Sequence, residues 1–202
     1  MAKKESTFIN MVVMLFLVTG IAAAALGFVY DFTKGPIAEA KLKAQQEAIT
    51  NVLPQFDALG ESFKTLVEEG GDSLEFFPAY KNGELVGTAI KTYTKNGFSG
   101  FISIMAGIDS EGNFSGYSVL EHKETPGLGS KMDTWFSDQE KPGQYVIGKN
   151  PVSNNFTVTK DGGDIDAITA STITSRAFLE ALVLAYNSHK ENKEAIPATA
   201  GN

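Results

Sequence analysis

The chain has 202 residues, of which 43% are hydrophobic and 20% are charged, a composition typical of an ordered domain. Its 24 acidic and 17 basic residues give a net charge of -7, and the absence of a basic block argues against nucleic acid as a partner. The chain has no cysteine and only two histidines, which excludes thiolate chemistry, iron–sulfur ligation and disulfides and predicts no metal site.

An uncharged apolar segment, residues 11–30, stands near the N-terminus. About twenty apolar residues are enough to cross the hydrocarbon core of a membrane as a helix. We therefore predict a transmembrane helix over residues 11–30, preceded by a short cytoplasmic tail over residues 1–10. A cleaved signal peptide is the competing interpretation, with Lys3 and Lys4 as its basic start and residues 22–25 as its cleavage zone, but the apolar run is longer than a usual signal core.

The charges around this segment do not decide its orientation, because lysines lie on both sides of it. A short lysine-bearing tail commonly stays in the cytoplasm, and large domains cross a membrane largely regardless of their charge. We predict a single-pass protein of the inner (cytoplasmic) membrane whose main domain, residues 31–190, lies outside the cytoplasm.

The region after the apolar segment begins with a helical pattern. Gly35 and Pro36 are expected to start a helix with roughly 3.6-residue apolar periodicity, and Pro54 is expected to end it. A polar connection with at most a short helix follows over residues 57–73.

Strand-like residues begin at Leu74, where aromatic and β-branched side chains become frequent. The pair Asn82 and Gly83 is a strong signal for a two-residue hairpin turn. A second hairpin is expected around a turn at residues 109–113. These segments predict an antiparallel meander.

The last third of the chain is predicted to hold helices and one more strand. We expect a short helix at residues 132–136, an edge strand at residues 155–160 and a closing helix from about Ser171 to His189. A disordered tail is expected over residues 191–202. The order of helix, meander and helix predicts an α+β domain in which helices flank an antiparallel sheet.

The stretch DAITASTITS, residues 166–175, places three threonines and two serines where the closing helix begins. One hydroxyl is enough to cap a helix. A helix N-terminus also offers unpaired N–H groups and a partial positive charge, and nearby hydroxyls add donors for phosphate oxygens. The run therefore indicates either a helix cap or a phosphate site.

The stretch EHKETPGLGSKM, residues 121–132, is the second candidate. It is either a surface loop turned by its proline and glycines, or a ligand loop in which Gly127 and Gly129 let backbone N–H groups approach and Thr125 adds a hydroxyl. It lacks the lysine pattern of a Walker motif. Phe98, which stands between glycines, belongs either to the core or to the wall of a pocket for a flat ring.

These two stretches and the N-terminal apolar segment together resemble the FMN-binding domain family found in the G subunit of the Rnf complex and in the C subunit of the sodium-pumping NADH:quinone oxidoreductase. In that family FMN is esterified through its phosphate to a threonine, within the pattern Asp, Gly, any residue, Ser or Thr, Gly, Ala, Thr. The resemblance, which covers nearly the whole chain, places Asp166 at the aspartate, Thr169 at the Ser or Thr, and Thr172 at the acceptor. The sequence around this motif, residues 162–177, is closer to that of the Rnf G subunit.

The resemblance also implies further contacts with the flavin, which fall in the loop and in the hydroxyl run: Glu124, Thr125, Gly127, Leu128, Ser171, Thr174 and Ser175. The chain departs from the family pattern at Ala167 and Ala170, which stand at glycine positions, and at Ser171, which stands at an alanine position. If position 170 has a positive φ, Ala170 is strained.

The function implied by the resemblance is that of an electron-carrying subunit, with covalent FMN as its cofactor, in an Rnf-type ion-translocating ferredoxin:NAD oxidoreductase. The implied partners are other subunits of this membrane complex and a flavin transferase that attaches FMN from FAD. No catalytic side chain is expected, and because residues 11–30 carry no charge, ion passage is assigned to partner subunits.

Two other classes of protein stay open at this point. The first is a non-redox binding module outside the cytoplasm, anchored by the same apolar segment. The second is a hydrolase with a serine or threonine nucleophile, for which His122 would be the base, although no nucleophile motif accompanies it.

Overall fold

The computed structural model describes residues 7–67 and 72–199, and the chain divides into two units after Ala44. Residues 1–6 of the predicted cytoplasmic tail lie outside the described residues. The same holds for residues 68–71 of the predicted polar connection and for residues 200–202 of the predicted disordered tail.

Helix α1 spans Phe8–Val52 without the break predicted at Gly35 and Pro36. The prediction of a new helix there is wrong, because a proline removes one backbone hydrogen bond but does not have to end a helix. The alanine, lysine, glutamate and glutamine residues that follow favour the helical state. The predicted end of this helical region, just before Pro54, is confirmed.

The first part of α1 is apolar and exposed. Its large side chains face outward, with Phe16 75% exposed and Leu26 72% exposed. By length and composition, this helix is able to cross a membrane.

The second unit contains one antiparallel sheet. Strand β3 pairs with both β1 and β2 at one edge, and the order continues through β4 and β5 to β6. Strands β1 and β2 fall in the segment predicted as a polar connection, and they are too short to show an alternating pattern. Within the described residues the strands are β1 (Ala58–Leu59), β2 (Phe63–Leu66), β3 (Ser73–Lys81), β4 (Glu84–Gly97), β5 (Gly100–Asp109) and β6 (Phe114–His122).

Both predicted hairpins are confirmed. Asn82 and Gly83 join β3 to β4 with φ values of 52° and 83°, the pair of positive angles that a type I′ turn requires. Residues 110–113 join β5 to β6. A third tight turn, formed by Phe98 and Ser99, joins β4 to β5 and forms the tip of their hairpin.

Helices cover both faces of the sheet. Helix α3 (Thr172–Glu191) packs mainly on β4, and its Phe178 shares a buried cluster with Ile104. On the other face, Val52 at the end of α1 packs with Met105. Because successive strand residues point to opposite faces, Ile104 packs in the cluster under α3 and Met105 packs in the cluster under the end of α1. The predicted α+β class with flanking helices is confirmed.

Glycines on the sheet allow the end of α1 to approach closely. A Cβ atom on Gly107 would overlap the carbonyl group of Val52, and one on Gly116 would lie 2.8 Å from the Val52 Cα atom. The Ser115 hydroxyl donates a hydrogen bond of 2.6 Å to the Val52 carbonyl oxygen. This bond satisfies a carbonyl group that the end of the helix leaves unpaired.

The chain between β6 and α3 is mostly irregular. The predicted short helix is present as α2 (Met132–Trp135). The predicted edge strand at residues 155–160 is wrong, since Val158 makes only a single parallel bridge, to Ile165, and a 3-10 turn follows at once. Gly162, with a φ of 84°, ends this 3-10 turn, so the extended segment does not continue.

Residues 192–199 are ordered against the sheet, which corrects the prediction of a disordered tail for this part. Ile196 is buried, and the Tyr80 hydroxyl donates to the Pro197 carbonyl oxygen at 2.9 Å. The Leu85 N–H donates to the Ala198 carbonyl oxygen at 3.2 Å. The tail is mostly polar or small in composition, so the sequence alone did not predict that Ile196, its one large apolar side chain, is buried.

Candidate functional site

A cavity of about 320 Å³ opens where the N-terminus of α3, the loop after β6 and the turn between β4 and β5 meet. This volume is at the lower end of the range for small-molecule sites. Both stretches singled out in the sequence contribute to its wall. The lining residues are Phe98, Glu124, Thr125, Leu128, Gly129, Ala170, Ser171, Thr172, Ile173 and Thr174.

The N-terminus of α3 offers free hydrogen-bond donors to this cavity. Ser171, the residue before the helix, makes no side-chain capping bond. Within the described residues, the N–H groups of Thr172, Ile173 and Thr174 have no acceptor, and the first N–H that is paired is that of Ser175. Because α3 has 20 residues, its aligned peptide dipoles place a partial positive charge at this end. The arrangement suits an anion.

The five hydroxyls of the run occupy different surroundings. Thr174 is buried and its hydroxyl lies 2.7 Å from Glu124 Oε2. The Ser175 hydroxyl accepts the Ile168 N–H at 2.9 Å and donates to the Ser171 carbonyl oxygen at 3.0 Å, so it has a structural role.

The other three hydroxyls make no hydrogen bond within the described part of the chain. Thr169 is exposed and does not line the cavity. Ser171 lines the cavity but is only 7% exposed. Thr172 lines the cavity and is half-buried.

Ala170 has a φ of 62°, the left-handed backbone conformation in which strain is expected for alanine. It directly precedes Ser171 and turns the chain into the start of α3. The glycine that the family pattern has at this position adopts such a φ without a steric penalty. Ala170 therefore carries a steric penalty that a glycine at this position would avoid.

Glu124 is a buried carboxylate in the wall of the cavity, with 5% of the residue exposed. Its Oε1 atom accepts the Ser99 N–H at 2.9 Å, and its Oε2 atom bonds the Thr174 hydroxyl. A Cβ atom on Gly129 would lie 2.6 Å from Oε2, and one on Gly97 would lie 2.7 Å from Oε1. Two glycines therefore make room for this one side chain.

Apolar side chains surround the mouth of the cavity. Phe98 at the tip of the β4–β5 hairpin is 67% exposed, Ile173 is 48% exposed and Leu128 is 40% exposed. Large apolar side chains that share one cavity mouth indicate a site for an apolar group. Phe98 and Ile173 were not among the contacts implied by the family motif, and only the glycines around Phe98 hinted at its role.

Some residues that the motif singled out lie outside the lining. Asp166 is not in the lining: its N–H donates to the Gly143 carbonyl oxygen at 2.7 Å, and its own carbonyl oxygen accepts the Trp135 indole N–H at 3.0 Å. Gly127 adopts a φ of 76° in the loop turn, and its N–H donates to the Ser130 hydroxyl at 2.9 Å. Together with Thr169 and Ser175, these residues shape the elements that bound the cavity.

His122 is not arranged as a base for a nucleophile. Its Nδ1 atom accepts the backbone N–H of Glu124 at 3.1 Å, and its Nε2 atom lies 3.8 Å from Asp133 Oδ1. Burial raises the pKa of Asp133, and the nearby imidazole opposes this rise. Among the described residues no serine or threonine hydroxyl bonds His122, so the hydrolase interpretation lacks the required pair.

Comparison with known proteins connects the site with a flavin. A model of the FMN-binding domain matches residues 97–187, a span that contains the whole lining of the cavity. The chain is 32% identical over 204 residues to the G subunit of the ion-translocating oxidoreductase complex of Aliivibrio fischeri, with 93% of each chain covered.

Two further relatives come from other organisms. Over 177 residues the chain is 33% identical to the G subunit of the Na(+)-translocating ferredoxin:NAD(+) oxidoreductase complex of Acetobacterium woodii, covering 81% of this chain and 83% of the relative. Over 184 residues it is 32% identical to the G subunit of the ion-translocating oxidoreductase complex of Methanosarcina acetivorans, covering 89% and 92%. With such identity along nearly its whole length and an FMN-binding domain around its cavity, the chain belongs to the family of G subunits of ion-translocating oxidoreductase complexes.

Proposed function

We propose that this chain is a membrane-anchored flavoprotein subunit of an Rnf-type ion-translocating ferredoxin:NAD oxidoreductase, and that it relays electrons through FMN linked by its phosphate to Thr172. Kinship with the G subunits supports the complex, and the FMN-binding domain supports the cofactor. The observation that carries the proposal is the cavity at the start of α3, where free N–H groups and a free threonine hydroxyl meet apolar walls.

The phosphate would bind at the N-terminus of α3. A phosphodiester keeps one negative charge, and the free N–H groups of the first turn are donors for its oxygens. The helix dipole stabilises such a charge by about 0.3–1 kcal/mol at exposed sites and by up to about 2 kcal/mol in partly buried ones. The donors need no rearrangement, because no protein group within the described residues occupies them.

Thr172 is the best acceptor among the five hydroxyls of the run. Thr174 and Ser175 are engaged in protein hydrogen bonds, and Thr169 does not line the cavity. Of the two that remain, Ser171 is almost fully buried, whereas Thr172 is half-buried and therefore open to a modifying enzyme.

The apolar mouth of the cavity fits a flat aromatic ring. Burying the exposed faces of Phe98, Leu128 and Ile173 under the ring would contribute about 25 cal/mol for each Å² of apolar surface removed from water. When bound, the isoalloxazine ring supplies the electron-transfer chemistry, and the side chains of the chain bind it and fix its orientation. No catalytic side chain is required.

The apolar part of α1 would anchor the chain in the inner membrane. Within the described residues its outward-facing apolar side chains have no protein cover, and a contiguous apolar surface of this size needs a lipid or a partner around it. Because the span over residues 11–30 carries no acidic or basic side chain, ion passage would belong to partner subunits.

The orientation is proposed with the FMN-binding domain outside the cytoplasm. A C-terminal alkaline phosphatase fusion, active only outside the cytoplasm, should then be active, and a C-terminal β-galactosidase fusion should be inactive. The reverse pattern would overturn the orientation and leave the flavin site untouched.

The partners are the other subunits of the complex and a flavin transferase that uses FAD. In the transfer, the bond between the Thr172 oxygen and the FMN phosphorus forms as the pyrophosphate bond of FAD breaks. AMP leaves, and the hydroxyl proton is released. The chain contributes the free hydroxyl and the donors that hold the phosphate.

The acceptor is tested with Thr172→Ala, using Thr169→Ala as the matched control. Each full-length protein is expressed together with a flavin transferase, and its band on a denaturing gel is inspected under ultraviolet light. The wild type and Thr169→Ala are expected to fluoresce, and Thr172→Ala is expected to be dark. A fluorescent Thr172→Ala band would move the linkage to another hydroxyl, with Ser171 as the first alternative. A dark wild-type band would overturn the covalent linkage.

A further inference from the structure

Glu124 is a buried carboxylate without a cation. Its two oxygens bond one backbone N–H, that of Ser99, and one hydroxyl, that of Thr174, and within the described residues it forms no ion pair. Removing a carboxylate from water without pairing it is costly, so such groups are uncommon unless they serve a function. Here the carboxylate lies in the wall of the cavity assigned to the flavin.

The hydrogen bonds around Glu124 suit both of its protonation states. The N–H of Ser99 is a fixed donor, which keeps Oε1 an acceptor in either state. The hydroxyl of Thr174, 2.7 Å from Oε2, both donates and accepts. It donates to an ionised carboxylate and accepts from a protonated one. A proton at Oε2 therefore breaks no hydrogen bond of the side chain.

We propose that Glu124 takes up a proton when the flavin is reduced and releases it when the flavin is oxidised. This inference rests on the proposed function. One electron arrives from a one-electron donor of the complex, an O–H bond forms at Glu124 Oε2, and the proton comes from water at the mouth of the cavity. On oxidation the electron leaves to an acceptor of the same class and the proton returns to water.

The coupling follows from the shared cavity. Two negative charges repel strongly where little water screens them, so an added charge on one group favours neutralisation of the other. Glu124 is 5% exposed, which limits screening at the carboxylate. Gly97 and Gly129 lie directly against its two oxygens, because a Cβ atom on either glycine would lie 2.7 Å or 2.6 Å from them.

The charged groups on neighbouring elements are engaged elsewhere or exposed. His122 on β6 bonds the backbone N–H of Glu124 and faces Asp133 of α2. Arg176 of α3 forms a two-bond ion pair with Asp161, at 2.6 Å and 2.7 Å. Glu180 of α3 accepts from the Asn96 side-chain amide at 2.8 Å and 2.9 Å, and Lys95 of β4 pairs with Asp72 at 2.5 Å. Three further charged side chains near the end of β6 are exposed to solvent, namely Glu121, Lys123 and Lys131. Glu124 is therefore the titratable group in the lining of the cavity.

The test is reduced-minus-oxidised infrared difference spectroscopy of the flavin-loaded, full-length protein. We expect a carbonyl band of a protonated carboxyl group to appear on reduction and to shift in heavy water. Glu124→Gln should lose this band, and Asp133→Asn, which changes the acid of α2 that faces His122, should keep it. A flavin-loaded wild type without the band, or a band that survives in Glu124→Gln, would overturn the inference and leave the flavin function standing.

A second variant covers the case in which Glu124→Gln does not fold. Thr174→Val keeps the shape of the side chain and removes the hydroxyl that bonds Oε2, so it should shift the frequency of the same band. An unchanged band in Thr174→Val would contradict the assignment to Glu124. A wild-type protein without bound flavin would overturn the proposed function itself, and this inference with it.

Discussion

Ala170 allows a quantitative test of the loop that enters α3. Its φ of 62° is left-handed, which costs an L-residue about 1–2 kcal/mol, whereas glycine adopts it freely. Glycine is also more flexible than alanine in the unfolded chain, and this lowers the free energy of unfolding of the glycine variant by about 0.4–1 kcal/mol. Ala170→Gly should therefore stabilise the domain by about 0.5–1 kcal/mol. For a domain of this size the melting temperature should rise by about 1–4 °C.

The assay is thermal unfolding of the full-length, flavin-free protein in detergent, followed by fluorescence of Trp135. This residue is the single tryptophan of the chain, and its indole N–H bonds the Asp166 carbonyl oxygen close to the loop. Ala167→Gly is the matched control, because Ala167 also stands at a family glycine position but has no positive φ. This control should lose about 0.4–1 kcal/mol. If Ala170→Gly melted lower than the wild type, or shifted like the control, the strain argument would be refuted.

Two further predictions concern the framework. Gly107→Ala places a methyl group against the Val52 carbonyl and should destabilise the domain by about 1–3 kcal/mol, so an unchanged urea midpoint would contradict the close approach of α1. Tyr117→Phe removes the hydroxyl that donates to Met132 and accepts from the Phe136 N–H, at a cost of about 1–3 kcal/mol. Burial raises the pKa of Tyr117 to about 12 from its ordinary 10.0, so the folded state holds this proton more tightly than the unfolded state does. The contribution of Tyr117 to stability is therefore lost as the pH rises from 10 towards 12, and the stabilities of wild type and variant should converge there. Parallel curves would count against this reasoning.

The local features of the fold were predictable because their signals are local. The pair Asn82 and Gly83 specifies its turn through backbone angles alone, and the apolar run of α1 needs no tertiary information. The helix start predicted at Gly35 and Pro36 was wrong because a proline need not end a helix, whereas two other misses were elements that depend on partners. The two short strands β1 and β2 exist because β3 offers them an edge, and residues 192–199 are ordered because Ile196 finds a buried place.

The sequence predicted which two stretches form the candidate site, but it did not predict the contacts between them. Glu124 and Thr174 lie 50 positions apart, and their hydrogen bond depends on how α3 packs beside the end of β6. For the same reason residue types and spacing alone did not separate the five similar hydroxyls, and only the family resemblance singled out Thr172 as the acceptor. Burial and existing hydrogen bonds do so, and they leave Thr172 as the most accessible free hydroxyl in the cavity.

The most direct test of the central claim is mass spectrometry of the segment around Thr172, using flavin-loaded protein. Trypsin cleaves after Lys160 and after Arg176, which releases residues 161–176 with all five hydroxyls of the run. We predict that this peptide carries the mass of an FMN phosphoester and that fragmentation places it on Thr172. An unmodified peptide, or FMN on a different residue, would contradict the account.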